Sequence, residues 1–313
     1  MTQIPIFYAA NDDYAPGLAV SIESLIKSSN PRKQYRVIVL QQGLTPAHAA
    51  ALQALTTDNV QIDLEPMSDR IRECLADNDN KLFASFFTLT IYYRLFIPEM
   101  FPQYDKGIYL DADTVLLHDV ADLYDTDVAN KLVAASVDPF VSTDAVLAPY
   151  AEQAVGVPRL DYVNSGVLVM NLKAMRDRGF ADHFLTLLNK YKFKSIAADQ
   201  DYLNAMAHDE MVKLAPSWNV QERRPKYSAN LVHYNLFKKP WHYTDVPYEA
   251  EFWNFAEATP FKTELLAKRQ AFTQADTDAD NARLEKLVAN AKAFTAEPGS
   301  FRAVNEQVGG VRL

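Results

Sequence analysis

Tyr109-Leu-Asp-Ala-Asp-Thr-Val-Leu-Leu117 sets two carboxylates, Asp111 and Asp113, between two apolar runs. The preceding run reads as a strand from Gly107 to Leu110, so the pair is expected where a strand gives way to a loop. Asp-x-Asp occurs six times, at 77/79, 111/113, 125/127, 199/201, 276/278 and 278/280, so spacing by itself selects nothing. Setting does. The pairs at 276/278 and 278/280 lie in a polar helix start, where Asp serves as a cap and meets the helix dipole. The pairs at 77/79 and 125/127 read as loop, and 199/201 reads as an ordinary helix start. Only 111/113 joins two apolar runs. In extended backbone, residues i and i+2 point to one side, so both carboxylates can meet one cation.

Upstream of this stretch, strand and helix signals alternate. Apolar runs at 4–10, 35–40 and 60–64 read as strands. Between them, Pro16-Gly17 opens a helix carrying Leu18, Ile22, Leu25 and Ile26, and Thr45-Pro46 reads as N-cap and first position of another. The β-α-β-α-β order implies a parallel sheet of the nucleotide-binding type, with ligands expected at the C-terminal strand ends. Residues 66–85 are polar and read as a mobile loop, and 88–100 as a helix ending near Pro102. Further strands are expected at 132–137, 167–170 and 230–234, and helices near 173–190 and 199–207. From Pro260 the pattern suggests two amphipathic helices and a Gly-Gly tail. This divides the chain into a catalytic part, 1–258, and a helical appendage, 259–313.

Composition narrows the function. Of the 313 residues, 49% are hydrophobic and 23% charged, the mix of a globular protein with a sizeable core. A net charge of −9 argues against nucleic acid, whose phosphates are met by clustered Lys and Arg. No apolar run approaches the length of a transmembrane segment. The residues after Met1 lack the basic start and long apolar stretch of a secretory signal. A lone cysteine, Cys74, fits a reducing compartment. Cytoplasm is the expected location, with peripheral attachment at the inner membrane face as the alternative. Between 261 and 313, eight Lys/Arg face seven Asp/Glu, so the tail is no polybasic anchor.

Two Asp seldom hold a cation unaided; a phosphate and sometimes an imidazole complete the set. His233 is the candidate, at the end of Asn-Leu-Val-His and the start of His233-Tyr-Asn-Leu-Phe-Lys-Lys-Pro-Trp241. A lone His is ordinarily a satisfied, partly buried residue, and Lys238 and Lys239 would ordinarily be surface charges. With an Asp-x-Asp, the set suggests a metal-bridged diphosphate with Lys as counter-charge. In that reading residues 234–241 form a lid whose lysines have no anion to meet until a diphosphate arrives.

These residues resemble glycosyltransferase family eight, which includes galactosyl- and glucosyltransferases of bacterial surface glycans and glycogenin. The resemblance rests on Phe7-Tyr-Ala-Ala-Asn-Asp-Asp-Tyr14, Thr90-Ile-Tyr-Tyr-Arg94, Tyr109-Leu-Asp-Ala-Asp113, Asn164-Ser-Gly-Val-Leu168, Asp199-Gln-Asp201 and His233…Lys239-Pro-Trp, in that order. It implies an α/β fold of the GT-A type: a Rossmann-like, mixed nucleotide-binding sheet flanked by helices, here followed by a C-terminal helical segment. It implies a UDP-sugar donor (UDP-glucose or UDP-galactose), a glycan, glycolipid or glycoprotein acceptor, Mn²⁺ with Mg²⁺ as the alternative ion, and retention of configuration. By position, Asp111, Asp113 and His233 resemble the metal ligands. Ala9, Asn11, Asp12, Asp13, Tyr14, Arg94, Asp111, Ala112, Asp113, Asn164 and Lys239 resemble the donor-binding set, with Asn11, Asp12 and Asp13 where uracil and ribose are read. Asp138, Asp199 and Gln200 resemble catalytic positions beside the sugar, so the resemblance promotes a sixth Asp-x-Asp that spacing had left as a helix start.

Two positions depart from the family pattern. Asn11 stands where Asp is common; its carbonyl still accepts from uracil N3–H, with weaker recognition expected. Leu236 stands where Gly is common, and a side chain there is expected to force a different path for residues 235–238. Gln200 is a poor nucleophile, which favours front-face displacement through an oxocarbenium-like state, with Gln200 or Asp199 shielding the cation. The stretch 110–115 also fits the nucleophile loop of haloacid-dehalogenase-like phosphatases, with Asp111 phosphorylated. The motif there belongs on the first strand, with a later acidic cluster, and neither condition is met. A sugar-nucleotide pyrophosphorylase would need a Gly-rich phosphate cradle that the first loop lacks. A non-enzymatic sugar-binding module would not need both Asp, His233 and Lys239.

Overall fold

A computed structural model describes residues 3–67, 89–221, 225 and 227–313. The expected mobile loop falls, beyond Met67, outside the described residues, as do Cys74 and the 77/79 pair. Nine strands are present among the described residues. They are β1 (Gln3–Asn11), β2 (Gln34–Gln42), β3 (Val60–Pro66), β4 (Gly107–Leu110), β5 (Thr114–Leu116), β6 (Val133–Val137), β7 (Val163–Met170), β8 (Met211–Lys213) and β9 (Leu231–His233). Seven form one sheet in the order β3-β2-β1-β4-β7-β6-β8, and β5 and β9 pair separately. The strands β3-β2-β1-β4 run parallel, while β7 is antiparallel to both β4 and β6. The mixed α/β sheet flanked by helices is therefore as expected.

Side-chain alternation buries both faces of this sheet. Along β1, Phe7 joins one core and Ile6 and Tyr8 the other; along β4, Tyr109 parts from Ile108 and Leu110 in the same way. The chain leaves β1 toward β2 and β3 and then returns to the opposite side of β1 as β4. That reversal opens a crevice at the C-terminal ends of β1 and β4, where ligands of such sheets bind.

Several boundaries differ from the sequence reading, each for a local reason. The expected helix at 173–190 is two, Leu172–Asp177 and Phe180–Tyr191, because Gly179 between them has φ +64°. Residues Leu89–Phe96 form a 3₁₀ helix, and α-helix starts only at Ile97–Met100, with Pro98 in its first turn. β7 starts four residues before the apolar run, because the polar Asn164 and Ser165 are buried by hydrogen bonds. The C-terminal residues form three helices, Lys262–Ala271, Gln274–Phe294 and Phe301–Val308, not two. The Asp pairs at 276/278/280 do mark a helix start, capped by Thr273 and Asp276.

Gly107, at the head of β4, leaves room for the Phe7 ring: a Cβ there would lie 2.7 Å from Phe7 Cε2. Gly107→Ala is expected to cost about 1–3 kcal/mol through overpacking, read as a lower thermal midpoint. An unchanged midpoint would show that the ring can move aside.

Candidate functional site

The turn after β4 joins two sheets. Asp111 N donates to Gly166 O on β7 at 2.8 Å, and Tyr234 N, just past β9, donates to Asp113 O at 2.9 Å. The next residue, Thr114, opens β5 directly opposite His233, and its hydroxyl donates back to Asp111 O at 2.9 Å. Asp111 and Asp113 therefore sit in a turn between two short strands, not in one extended strand. Their carboxylates converge through that turn, and the β5–β9 register brings the imidazole to them.

Each group keeps one atom free toward the others. Asp111 Oδ1 accepts from Arg94 Nη2 at 2.8 Å and from Tyr109 OH at 2.9 Å, leaving Oδ2 3.6 Å from His233 Nε2. Asp113 Oδ2 accepts from Lys239 Nζ, leaving Oδ1 3.4 Å from the same nitrogen. His233 Nδ1 is bonded to Asn219 Oδ1 at 2.9 Å. One ligand atom from each of the three residues lies within 4.8 Å of the other two. Two carboxylate oxygens and an imidazole nitrogen form a donor set suited to a divalent transition ion such as Mn²⁺.

The close approach depends on a missing side chain. A Cβ at Gly166 would lie 2.3 Å from His233 Cε1 and 2.6 Å from Asp111 Oδ2. The Gly of Asn164-Ser-Gly-Val-Leu168 is thus a steric requirement of the three-residue cluster.

The cations are more deeply buried than the carboxylates. Arg94 is 4% exposed; it donates to Ser165 O at 2.6 Å, lies 3.0 Å from Asp199 Oδ2 and stacks over the Tyr109 ring at 4.3 Å. Burial opposes its charge, but Asp111 and then Asp199 outweigh this and raise its pKa. Burial likewise opposes the Asp113 carboxylate, yet Lys239 and then His233 hold its pKa below the usual range. Burial pushes Asp199 up to about 6, with Arg94 opposing.

The opposite wall is a row of amides and carboxylates. Asp138 caps the helix Pro139–Thr143 with Oδ1 and accepts from Asn164 Nδ2 at 3.0 Å and Gln200 Nε2 at 3.1 Å with Oδ2. Gln200 Oε1 accepts from Ser165 N at 3.0 Å, and Ser165 Oγ donates to Asp199 at 2.9 Å. Beneath them Asp201 is fully buried and accepts from Tyr150, Tyr162, Ser195 and the backbone N–H groups of Ile196 and Ala197. The 199/201 pair is thus a helix start whose first Asp faces the cavity and whose second anchors the turn.

One cavity gathers Ala9, Asn11, Tyr14, Arg94, Asp111, Ala112, Asp113, Asp138, Asn164, Asp199, Gln200 and Lys239, with His233 buried beside it. Asp12 and Asp13 do not line it. Asp12 accepts from Thr45 N at 2.7 Å and meets His48 at 2.8 Å, while Asp13 pairs with Lys268 of the C-terminal helices at 2.5 Å. Ser165, Tyr109 and Asn219, which the sequence reading did not single out, hold the residues it did. The motifs Asn164-Ser-Gly and Tyr109-Leu-Asp contain two of them; nothing in the spacing marks Asn219.

The segment after His233 corrects two expectations. Lys239 is not waiting for an anion: it is 5% exposed and already bonded to Asp113 and to Tyr234 O, whereas Lys238 is exposed. Trp241 is buried, its ring edge-on to Tyr14 and filling the space that a Cβ at Gly17 would need. Leu236 adopts φ +58°, the left-handed region that a Gly enters freely and a Leu occupies at a cost of about 1–2 kcal/mol.

Gly166→Ala is expected to displace His233 and to lower stability by about 1–3 kcal/mol, read as a lower thermal midpoint. Unchanged melting and an unchanged His233 ring signal would show that the imidazole is not held against β7.

Similarity to known proteins identifies the family. The sequence model of Glycosyl transferase family 8 matches residues 5–245. General stress protein A of Bacillus subtilis is 25% identical over 285 residues, covering 82% of this chain and 94% of that protein. The lipopolysaccharide 1,2-glucosyltransferase of Escherichia coli K12 is 25% identical over 286 residues, covering 83% and 79%. Among solved structures, the galactosyltransferase LgtC with donor and acceptor sugar analogues superposes with a TM-score of 0.68 at 25% identity, over 82% of this chain and 96% of that one. The bifunctional glycosyltransferase WbbM gives a TM-score of 0.73 at 22% identity, over 86% of this chain; this chain spans about half of that one, 52%. With its GT-A fold and a match running through every strand of the site, the chain belongs to glycosyl transferase family 8.

Proposed function

We propose that this glycosyltransferase moves glucose or galactose from a UDP-sugar to a glycan, glycolipid or glycoprotein acceptor, with retention of configuration. The observation that carries the reading is the convergence of Asp111 Oδ2, Asp113 Oδ1 and His233 Nε2 beside two buried cations at the sheet's switch point. A nucleotide diphosphate needs such a site: one divalent ion to bridge it and fixed positive charge for what the ion leaves unbalanced. Asp111, Asp113 and His233 would hold Mn²⁺, which supplies Lewis-acid stabilisation of the leaving diphosphate. Lys239 would exchange Asp113 for a phosphate oxygen, and Arg94, held by Asp111 and Asp199, would keep the sugar end in register.

The amide of Gln200 is engaged at both ends, by Ser165 on one side and Asp138 and Tyr162 on the other. It therefore suits orienting and shielding the anomeric carbon better than attacking it, which supports front-face displacement. Ala9, Asn11 and Tyr14, which line the cavity, are the proposed nucleoside end, and Asp12 and Asp13 would join it by leaving His48 and Lys268; Asn11 Oδ1 accepts from Tyr14 N at 3.1 Å and retains a second lone pair for uracil N3–H. We take 1–258 as the catalytic part and 259–313 as its helical appendage. Among the described residues no helix is long and apolar enough to cross a membrane. The proposed site of action is cytoplasmic, on surface-glycan precursors. The phosphatase reading is not favoured, because the family match covers the Asp-x-Asp and every strand around it.

UDP release from UDP-glucose and UDP-galactose, measured after chelation and reloading, tests the proposal. Mn²⁺ is expected to restore more activity than Ca²⁺, because an imidazole ligand disfavours an all-oxygen ion. Asp113→Ala is expected to lower turnover by about 10²–10³-fold, the range for losing a principal electrostatic element. Wild-type turnover by that variant, or equal rates with both ions, counts against the site.

Lys239→Ala is expected to weaken UDP binding about 10–150-fold, the worth of a charge-assisted hydrogen bond. Calorimetry with UDP and Mn²⁺ measures this, and wild-type affinity would remove Lys239 from the diphosphate site.

A further inference from the structure

The hydrogen-bond row behind the cavity can be given directions from fixed points at both of its ends. Gly166 N can only donate, and it donates to Asn164 Oδ1 at 3.0 Å. Asn164 must therefore present its oxygen on that side, and its Nδ2 donates to the Asp138 carboxylate, which accepts only. The second bond to Asn164 Oδ1 comes from Asn219 Nδ2 at 2.9 Å, so the other face of the Asn219 amide is its oxygen. That oxygen lies 2.9 Å from His233 Nδ1, which must then carry a proton. Nε2 is turned toward Asp111 Oδ2 and Asp113 Oδ1. Asn164, Asn219 and His233 are 3–4% exposed, so water does not offer the imidazole another partner.

We infer that Asn219 is a positioning residue: it fixes the Nδ1 proton and the ring plane of His233 and ties them, through Asn164, to Asp138 and Gln200 on the opposite wall. The inference deepens the proposed function and rests on it for the roles of the two ends. Its physical content is separate, because the direction of the row follows from one backbone N–H and one carboxylate. Asn219 holds this place by following the 3₁₀ turn Pro216–Trp218, while Val220 next to it pairs with Val232 in β9. The bond to the ring and the strand carrying the ring are thus fixed by adjacent residues.

Two substitutions separate the two bonds. Asn219→Ala removes both. Asn219→Asp keeps an oxygen for His233 Nδ1–H but loses the N–H that Asn164 receives. Imidazole ring ¹⁵N signals of the metal-free wild type, with His233 assigned by its loss in His233→Gln, are expected to show Nδ1 protonated. Titration with Mn²⁺ alone, followed by the free-ion resonance, is expected to give about 10–100-fold weaker binding in Asn219→Ala, the usual cost of removing the partner of a ligating His. Asn219→Asp is expected to stay close to wild type in Mn²⁺ affinity and to raise the KM for the sugar donor. An unprotonated Nδ1 in the wild type overturns the inference. So does an Asn219→Ala protein that melts and binds Mn²⁺ like wild type, or an Asp variant that falls with Ala in Mn²⁺ binding. If the Ala variant does not fold, the wild-type Nδ1 signal and the Asp variant decide. If the wild type binds no Mn²⁺, the proposed metal site fails, and the Nδ1 signal alone judges Asn219.

Discussion

A carboxylate has two oxygens, and in this protein Asp111 and Asp113 give one each to a buried cation and keep one each for His233. Everything else around the crevice serves that division. Arg94 and Tyr109 occupy Asp111 Oδ1, Lys239 occupies Asp113 Oδ2, and the free atoms face an imidazole whose other nitrogen is bonded. Without Lys239, the buried Asp113 carboxylate would lose the charge that most lowers its pKa.

The fold supplies the division from four directions. β4 delivers Asp111 beside the end of β1; β7 approaches closely only because Gly166 lacks a Cβ; β9 pairs with β5 to bring His233 across; and the helix Ala198–Ala207 turns Asp199 and Gln200 inward over the buried Asp201. The segment after β9 then folds back, so that Lys239 is buried in the same crevice and Trp241 seals it against the helix Ala15–Ser28. Leu236 in the left-handed region fits this picture: the path of the segment is held by contacts on both sides strongly enough to impose an unfavourable backbone on a Leu.

Much of this was legible in the sequence, for reasons that can be named. Asp111 and Asp113 stand out because apolar strands flank them, and β1 to β4 because their runs are uninterrupted. β7 was read short because its first residues are polar, and only hydrogen bonds across the sheet make them buried. Asp199 looks like any helix-starting Asp; the family resemblance, not its spacing, drew attention to it. Lys239 reads as a surface charge until its partner is known, since nothing local records that Asp113 lies 126 residues away. Asn219 left no trace, because a single amide after a short turn has neither period nor motif, and its importance lies wholly in what it touches.

The central claim is that Asp111, Asp113 and His233 close around one divalent ion that also meets a nucleotide diphosphate. Crystals grown with UDP and Mn²⁺, measured at the manganese absorption edge, test it most directly. The account predicts one anomalous peak about 2.0–2.4 Å from Asp111 Oδ2, Asp113 Oδ1 and His233 Nε2, bridged to the diphosphate, with Lys239 turned to a phosphate oxygen. A peak elsewhere, or UDP bound with no ion among these three side chains, would contradict it.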